Sequence, residues 1–300
     1  MERPKQFTRR PRLACEITIS GVLAARAADK AGHLDLFTSR RLNPGTINPG
    51  LSGTNVQDGE ALRAAISGAL GALGNQRRDV IVIVPDAAIR VLLLDFEALP
   101  SKPQEIEPVI RFRLKKSLPF DVDQASVAYD IRRDNGAVRV VAAVSPRSVV
   151  EEYEAAFRDV GYFPGVVLPS SLAALGMVEG ERPTLILKVD PMNLTMAAAQ
   201  KQQLRLIRTL ENPHGTAVTA AELVEAVLPS IVFFEDQYGE RIQEICVGGA
   251  AAIDEFGPLL HQQTGAEVRE LAPQLPAEQN LSGETFEPSM MAGLVGALLG

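Results

Sequence analysis

The sequence predicts an α/β protein of two lobes, with a smaller module inserted into the first lobe. Each half of the 300-residue chain begins with strand-like runs and continues with helical patterns, which indicates a duplicated α/β plan with a cleft between the lobes. Within the first half, residues 85–164 follow the order β-α-β-β-α-β, which indicates a compact inserted subdomain. The first lobe is therefore assigned to residues 13–84 and 165–180, and the second to residues 181–300.

Strands and one helix are expected in the first lobe. Strand-like runs at Leu13–Ile19 and Leu34–Leu42 are predicted to pair with each other. Asp58 is placed as the N-cap of a helix because apolar residues follow it at helical spacing. The continuous apolar run Val80–Val84 indicates a strand that is buried on both faces.

The inserted module contains the clearest turn signal in the sequence. Asp134-Asn-Gly136 separates two alternating apolar runs, a pattern that predicts a β-hairpin. Ser148 and Glu151 have the spacing of a capping box, so a helix is expected to open there and to end at Gly161.

The second lobe repeats the strand-first order. A helix is predicted from about Ala220 to Tyr238, and Pro229 is expected to kink or break it. A strand at Ile242–Val247, a helix near Asp254 and a final apolar helix complete the lobe. The strands expected before the first of these helices are Leu185–Asp190, Leu194–Ala199 and Leu204–Leu210.

Composition argues against several classes of function. The net charge of −7 argues against a general nucleic-acid binder, and the 46% apolar content is that of a globular protein. Cys15 and Cys246 lack the spacing of a disulfide framework, and the three histidines suggest no metal site. We expect reduced thiols, a cytoplasmic location and no metal. Serine hydrolase chemistry has no support, because the Gly-x-Ser-x-Gly motif is absent.

The two ends of the chain differ in charge. Residues 1–12 hold five basic residues against one acidic residue and precede no long apolar run, so a basic flexible tail is expected rather than a secretory signal. Contact of this tail with anionic lipid is the alternative. Residues 290–300 are apolar but reach only about 16 Å as a helix, so we expect them to dock in the protein's own core.

Several segments, taken in order, carry a resemblance to a known family. They are Ile81–Pro85, Leu92–Leu99, Lys115–Phe120, Ala125–Ile131, Val149–Leu175 and Leu223–Ala251. These segments resemble PilM, the cytoplasmic actin-like protein of type IV pilus assembly, which is related in fold to FtsA. The resemblance covers nearly the whole chain in element order and implies an actin-like (ribonuclease H-like) fold. FtsA-like and GspL-like proteins are close competitors.

The resemblance implies a nucleotide site in which two strand hairpins cradle the phosphates of ATP and a carboxylate holds magnesium through water. In the first hairpin the family pattern is Asp-Ile-Gly-Ser-Ser-Ser-Ile-Lys, whereas this chain has Glu-Ile-Thr-Ile-Ser-Gly-Val-Leu from Glu16. Glu16 keeps the carboxylate and Ser20 keeps a hydroxyl, but the glycine has become Thr18, which resists a positive φ.

The second hairpin departs further from the family pattern. Asp190 is retained, but two residues follow where six are expected, and Pro191 has no N–H to donate. The Gly248-Gly249 turn of the adenosine side is also retained, although such a pair is common wherever a strand and a helix pack tightly.

The altered hairpins predict little or no affinity for ATP. Losing three or four hydrogen bonds to phosphate removes about 5–10 kcal/mol, and micromolar binding amounts to only about 8 kcal/mol. We therefore expect no enzyme activity and no cofactor, with residual binding of ATP and magnesium as the less favoured possibility. An active actin-like ATPase and an FtsA-like membrane-associated polymer are the alternatives.

The resemblance also implies a partner. In the family, a short cytoplasmic tail of PilN, a single-pass inner-membrane protein, lies in a groove between the first lobe and the inserted module. A scaffold of this kind would lie at the inner membrane only through its partner. Phe120, Val122 and Tyr129 are candidate groove residues here, with plain core packing as the alternative for each.

Overall fold

Three β-sheets and the helices packed on them make up the chain, as seen in a computed structural model that describes residues 10–28, 33–74, 77–134, 137–178, 181–211, 219–249, 253–275, 279–282 and 287–300. The strands are β1 (Leu13–Ile17), β2 (Gly21–Ala27), β3 (Leu34–Arg41), β4 (Asp79–Val84), β5 (Arg90–Phe96), β6 (Ala125–Asp134), β7 (Ala137–Pro146), β8 (Phe163–Pro169), β9 (Thr184–Val189), β10 (Asn193–Gln200), β11 (Gln203–Glu211), β12 (Glu244–Gly249) and β13 (Glu267–Glu270). The helices are α1 (Gly59–Ala72), α2 (Pro103–Leu114), α3 (Arg147–Arg158), α4 (Ser170–Ala174), α5 (Ala220–Tyr238), α6 (Ile253–Thr264) and α7 (Ala292–Leu299).

The first lobe is built on a five-stranded sheet in the order β3-β2-β1-β4-β8. The first three strands are antiparallel, and β4 and β8 run parallel to β1. Side chains of successive residues point to opposite faces, so both faces need a cover. Helices α1 and α3 cover one face, and α4 and α7 cover the other.

The second lobe repeats this plan in the order β11-β10-β9-β12-β13. Helices α5 and α6 pack on its outer face. The inner face packs against α4 and the start of α7, where Ala174 and Ala292 meet Ile186 and Cys246. Helices α4 and α7 therefore lie between the two sheets, which makes the two lobes share a core.

The inserted module is smaller than the sequence predicted. It consists of α2 packed on the three-stranded sheet β5-β7-β6, whereas α3 and β8 belong to the first lobe. The boundary at residue 164 is therefore wrong, because β8 pairs in parallel with β4 from Asp79↔Phe163 onwards. The module is β-α-β-β, and the α-β that follows it completes the first lobe.

Three further expectations about single elements need correction. The runs at β1 and β3 do not pair with each other, because β2 lies between them. Helix α3 begins at Arg147 after Pro146, and its N-cap makes no side-chain hydrogen bond, so the Ser148 capping box is not formed. Helix α5 continues through Pro229, so the predicted break is absent, whereas a kink there stays a prediction; this helix begins with a capping box formed by Thr219 and Glu222.

Both ends of the chain meet in the first lobe. The final apolar helix docks in the core as predicted, but against the first sheet, so its assignment to the second lobe is wrong. The side chain of Arg10 donates to the carbonyls of Ala297 and Gly300, and Arg12 Nε donates to Ala27 O at 3.0 Å. Residues 10–12 are thus fixed on the body rather than part of a flexible tail, and residues 1–9 lie outside the described residues.

Candidate functional site

The carboxyl ends of four strands face one another across the cleft between the lobes. Strands β1 and β4 end there from the first lobe, and β9 and β12 from the second. Ligands of α/β proteins bind at such strand ends. The cavity in the cleft is small, about 70 Å³, whereas pockets for drug-sized ligands measure roughly 300–1,000 Å³. Its lining residues are Glu16–Ser20, Pro49, Pro85, Lys188, Asp190–Asn193, Gly249 and Met290.

Two N–H groups of the first hairpin donate within its own turn. The N–H of Thr18 donates to Gly21 O at 2.8 Å, and the N–H of Gly21 donates to Thr18 Oγ1 at 3.0 Å. Gly21 is not in the left-handed region, and its lack of a side chain serves a close approach instead, since a Cβ there would lie 2.6 Å from Arg40 O. These two N–H groups therefore bond to the turn itself and are not available to a phosphate group.

The second hairpin is a two-residue turn. The N–H of Asp190 donates to Asn193 O at 2.8 Å, and the N–H of Asn193 donates back to Asp190 O at 3.3 Å. Pro191 contributes no donor, so Met192 is the one turn residue with an N–H outside this reciprocal pair. A turn this short does not extend around a phosphate group.

Lys188 projects a positive charge into the floor of the cleft. Its Nζ lies 3.5 Å from Glu16 Oε1 and 3.2 Å from Asp190 Oδ2. The Lys188 and Glu16 side chains are only 6% and 2% exposed, so this is a buried ion pair between strands of opposite lobes. Ser170 at the start of α4 donates to Glu16 Oε1.

A second buried carboxylate stands beside this pair. Asp86 follows β4, and its Oδ1 accepts from the N–H of Ser171 at 2.9 Å and from its hydroxyl at 2.8 Å. Among the described residues, Asp86 Oδ2 and Glu16 Oε2 are buried without a hydrogen-bond donor. The cleft floor therefore holds more carboxylate oxygen than donors.

Burial and mutual repulsion determine the protonation of the cluster. Burial raises the pKa of Glu16 and of Asp86 above the ordinary carboxyl values, and the Lys188 ammonium opposes the rise in both. Burial disfavours the charge on Lys188, but Asp190, Glu16 and Asp86 together outweigh it and raise the pKa of the amine. Lys188 is therefore charged at neutral pH.

Two glycines let the backbone approach the cluster closely. At Gly249 φ is +92° and a Cβ would lie 2.2 Å from Val189 O, so this glycine allows β12 to pack against β9. At Gly293 in α7 a Cβ would lie 2.6 Å from Glu16 Oε2. Gly248 does not line the cavity, and Ala250 and Ala251 lie outside the described residues.

The structure brings four of the five predicted nucleotide-site residues around one cavity: Glu16, Ser20, Asp190 and Gly249. Their role stays a prediction. Sequence reasoning missed Lys188 and Asp86. The signals were a lysine within the apolar strand β9 and an aspartate directly after the buried strand β4.

The three predicted groove residues differ in exposure. Val122 is fully buried in the module's core, so its assignment as a partner contact is wrong. Phe120 and Tyr129 are half-buried and pack against the same core. Both keep an accessible portion, and their role in binding stays a prediction.

The described ranges contain neither a metal-binding cluster nor a membrane-spanning helix. No group of three or more histidine, cysteine or acidic side chains is arranged to hold a metal ion in that part of the chain. None of the helices described there is long and apolar enough to cross a membrane.

Comparison with known proteins identifies the fold. No protein-family model and no curated protein sequence matches the chain. Among solved structures, it is similar to a chain of the PilM–PilN type IV pilus biogenesis complex, with a TM-score of 0.76 and 18% identity over 96% of this chain and 98% of that one. The cytoplasmic domain of EpsL, an inner membrane component of the type II secretion system of Vibrio cholerae, matches with a TM-score of 0.55 and 13% identity over 96% and 94%.

A third similar structure is the ethanolamine utilization protein EutJ from Carboxydothermus hydrogenoformans, with a TM-score of 0.52 and 10% identity over 96% of this chain and 89% of that one. The predicted actin-like fold is confirmed. The resemblance to PilM is confirmed by the first of these structures, and the match to the EpsL domain confirms that GspL-like proteins are a close competitor.

Proposed function

We propose that this protein is a cytoplasmic scaffold of a type IV pilus machine, or of a related secretion machine, that binds the short cytoplasmic tail of a PilN-like inner-membrane protein. The observation that carries the proposal is the match between this chain and one chain of the PilM–PilN complex, which extends over nearly the full length of each. The lower TM-score of the EpsL domain favours the pilus over type II secretion. The protein would reach the membrane through its partner.

The chemistry of the cleft supports a scaffold without a working nucleotide site. Each hairpin uses two of its N–H groups within its own turn, and Pro191 has no N–H. A triphosphate carries several negative charges, and the cleft floor already has three carboxylates around one ammonium. Repulsion between like charges in a buried site opposes binding of such a ligand. A magnesium ion would offset part of this repulsion, but the shortage of N–H donors for the phosphates would remain, and for this reason we propose that the site does not work as an ATP site.

Calorimetric titration of the full chain with Mg-ATP tests the nucleotide part of the proposal. We expect no heat of binding at micromolar nucleotide, because the two short hairpins leave few N–H groups for the phosphates and the floor is acidic. A Kd in the micromolar range would contradict the proposal and favour the actin-like ATPase.

Binding of a partner tail is tested with a synthetic peptide. The peptide should match the cytoplasmic N-terminal segment of a PilN-like protein encoded beside this chain. We expect it to bind with the same affinity in the presence and absence of Mg-ATP, because an extended segment obtains affinity from groove backbone and side-chain pockets. Binding that requires nucleotide, or no binding at all, would refute the scaffold.

The place of binding is tested with two phenylalanines of the inserted module. Phe120 is half-buried beside the predicted groove, and Phe112 is 72% exposed on α2. Phe120→Ala is expected to weaken peptide binding at least tenfold, and Phe112→Ala, the matched control, to leave it unchanged. The reverse result would place the peptide on the outer side of α2 and contradict the predicted groove.

A further inference from the structure

One buried lysine connects the two lobes at the floor of the cleft. Lys188 belongs to β9 of the second lobe, and its ammonium lies 3.5 Å from the carboxylate of Glu16 in β1 of the first lobe. The same ammonium lies 3.2 Å from Asp190 Oδ2. Asp86, also from the first lobe, is close enough to contribute to the raised pKa of the lysine amine.

The position of Lys188 is unusual for its residue type. Every residue of β9 is buried, and lysine is almost never fully buried unless it is paired. The positive charge balances a group of carboxylates that burial and repulsion would otherwise force to take up protons. If the lobes separated, the ammonium would lose Glu16 and keep only Asp190, which is 28% exposed.

We propose that Lys188 is a built-in counter-ion that ties the second lobe to the first and keeps the cleft closed without a ligand. The tie deepens the proposed scaffold function and rests on it, because a scaffold that binds neither nucleotide nor its magnesium ion needs another source of positive charge between these carboxylates. The ammonium fills that position permanently. The relative orientation of the lobes is then a property of the chain itself and does not depend on ATP.

A double-mutant cycle on the full chain tests the tie. Lys188→Met keeps the length of the side chain and removes its charge, and Glu16→Gln removes the charge of its partner in the other lobe. We expect Lys188→Met to lower the Tm by about 6–10 °C, because a buried carboxylate loses its counter-ion. In the Glu16→Gln background, Lys188→Met should lower the Tm by no more than half of that amount. Lys201→Met, the same chemical change at an exposed lysine of the second lobe, should leave the Tm unchanged.

Closure of the cleft is measured separately by the distance between labels on the two lobes. Ser67→Cys in α1 and Gln262→Cys in α6 place labels at exposed positions, and the native cysteines are buried. We expect Lys188→Met to lengthen or broaden the distance distribution and Lys201→Met to leave it unchanged. Glu16→Gln should broaden it as well, and this variant decides the question if Lys188→Met does not fold.

Two results would overturn the tie. One is an equal loss of Tm from Lys188→Met in both backgrounds, and the other is an unchanged label distance in Glu16→Gln. Neither result bears on nucleotide affinity. Micromolar binding of Mg-ATP to the native chain would instead refute the proposed function, so failures of the two ideas are distinguishable.

Discussion

Lys188 places one positive charge among Glu16, Asp86 and Asp190, and this balance makes the cleft floor sensitive to pH. The pKa of Glu16 and that of Asp86 are raised by burial and lowered by the ammonium. Without Lys188, both pKa values should rise further. A carboxyl whose pKa is higher in the folded state than in the unfolded state lowers the free energy of unfolding at high pH. This loss of stability develops above the unfolded-state pKa and disappears when falling pH protonates the carboxyl in both states.

The cost of Lys188→Met should therefore depend on pH. We expect it to be about 3–5 kcal/mol of unfolding free energy at pH 8. It should shrink steadily towards pH 5, where protonated carboxyls no longer need the ammonium. Urea unfolding of native chain and variant at four pH values between 5 and 8 measures the difference. A difference that stays constant or grows towards pH 5 would contradict this, and Lys201→Met provides the baseline.

The sequence predicted the place of the candidate site better than its chemistry. Glu16 and Asp190 could be placed at strand ends from the apolar runs before them. The pairing of Lys188 with Glu16 could not be predicted from the sequence, because the two residues are far apart in the chain and belong to different sheets. Val122 lies between Asp121 and Asp123, which suggests an exposed position, and only the packing of α2 on its sheet shows that it is buried.

Among the elements, helices α4 and α7 carry the contact between the lobes, and glycines set how closely they approach. A Cβ at Gly296 would lie 2.1 Å from Ala173 O, and one at Gly176 would lie 2.3 Å from Gly296 O. Contacts this short involve backbone atoms, so they cannot be relieved by moving a side chain. The helices must separate if a methyl group is added.

Gly296→Ala should therefore destabilise the protein by about 1–3 kcal/mol. Gly71→Ala is the matched control, because Gly71 is also helical and a Cβ there would have nothing within 4 Å. The control should stabilise by about 0.5–1 kcal/mol, as expected for alanine in a helix. Chemical unfolding of both variants gives the two values, and equal values would show that α4 and α7 are not in close contact.

The errors that sequence patterns made in assigning elements have identifiable physical causes. Strand β2 is rich in alanine, which has a low strand propensity, and it is held as a strand by β1 and β3 on either side. Helix α3 connects the parallel strands β4 and β8, as a crossover must. In the sequence this crossover is interrupted by the module, so α3 and β8 looked like part of the insertion. Pairing between distant strands is information that local patterns do not contain.

At the scale of the whole molecule, the inserted module also contacts the second lobe. Arg139 of β7 donates to Tyr238 Oη at 2.8 Å, and Tyr238 Oη donates to Arg205 O at 2.8 Å. Asp95 accepts from Arg139 Nε at 2.7 Å and orients the guanidinium. Together with the shared core around α4 and α7, this contact gives the module a fixed position relative to both lobes.

Tyr238→Phe tests whether this contact holds the module in place. The change removes one hydroxyl that accepts from a charged donor and donates to a carbonyl, so we expect a loss of about 1–3 kcal/mol in stability. Faster amide hydrogen exchange is expected in β5 and at the end of α5, because opening of the module no longer breaks these hydrogen bonds. Tyr129→Phe removes a hydroxyl from the module's own sheet and is the control. If both variants exchange like the native chain, the module is held by its junctions with the first lobe, and the contact with the second lobe contributes nothing to its position.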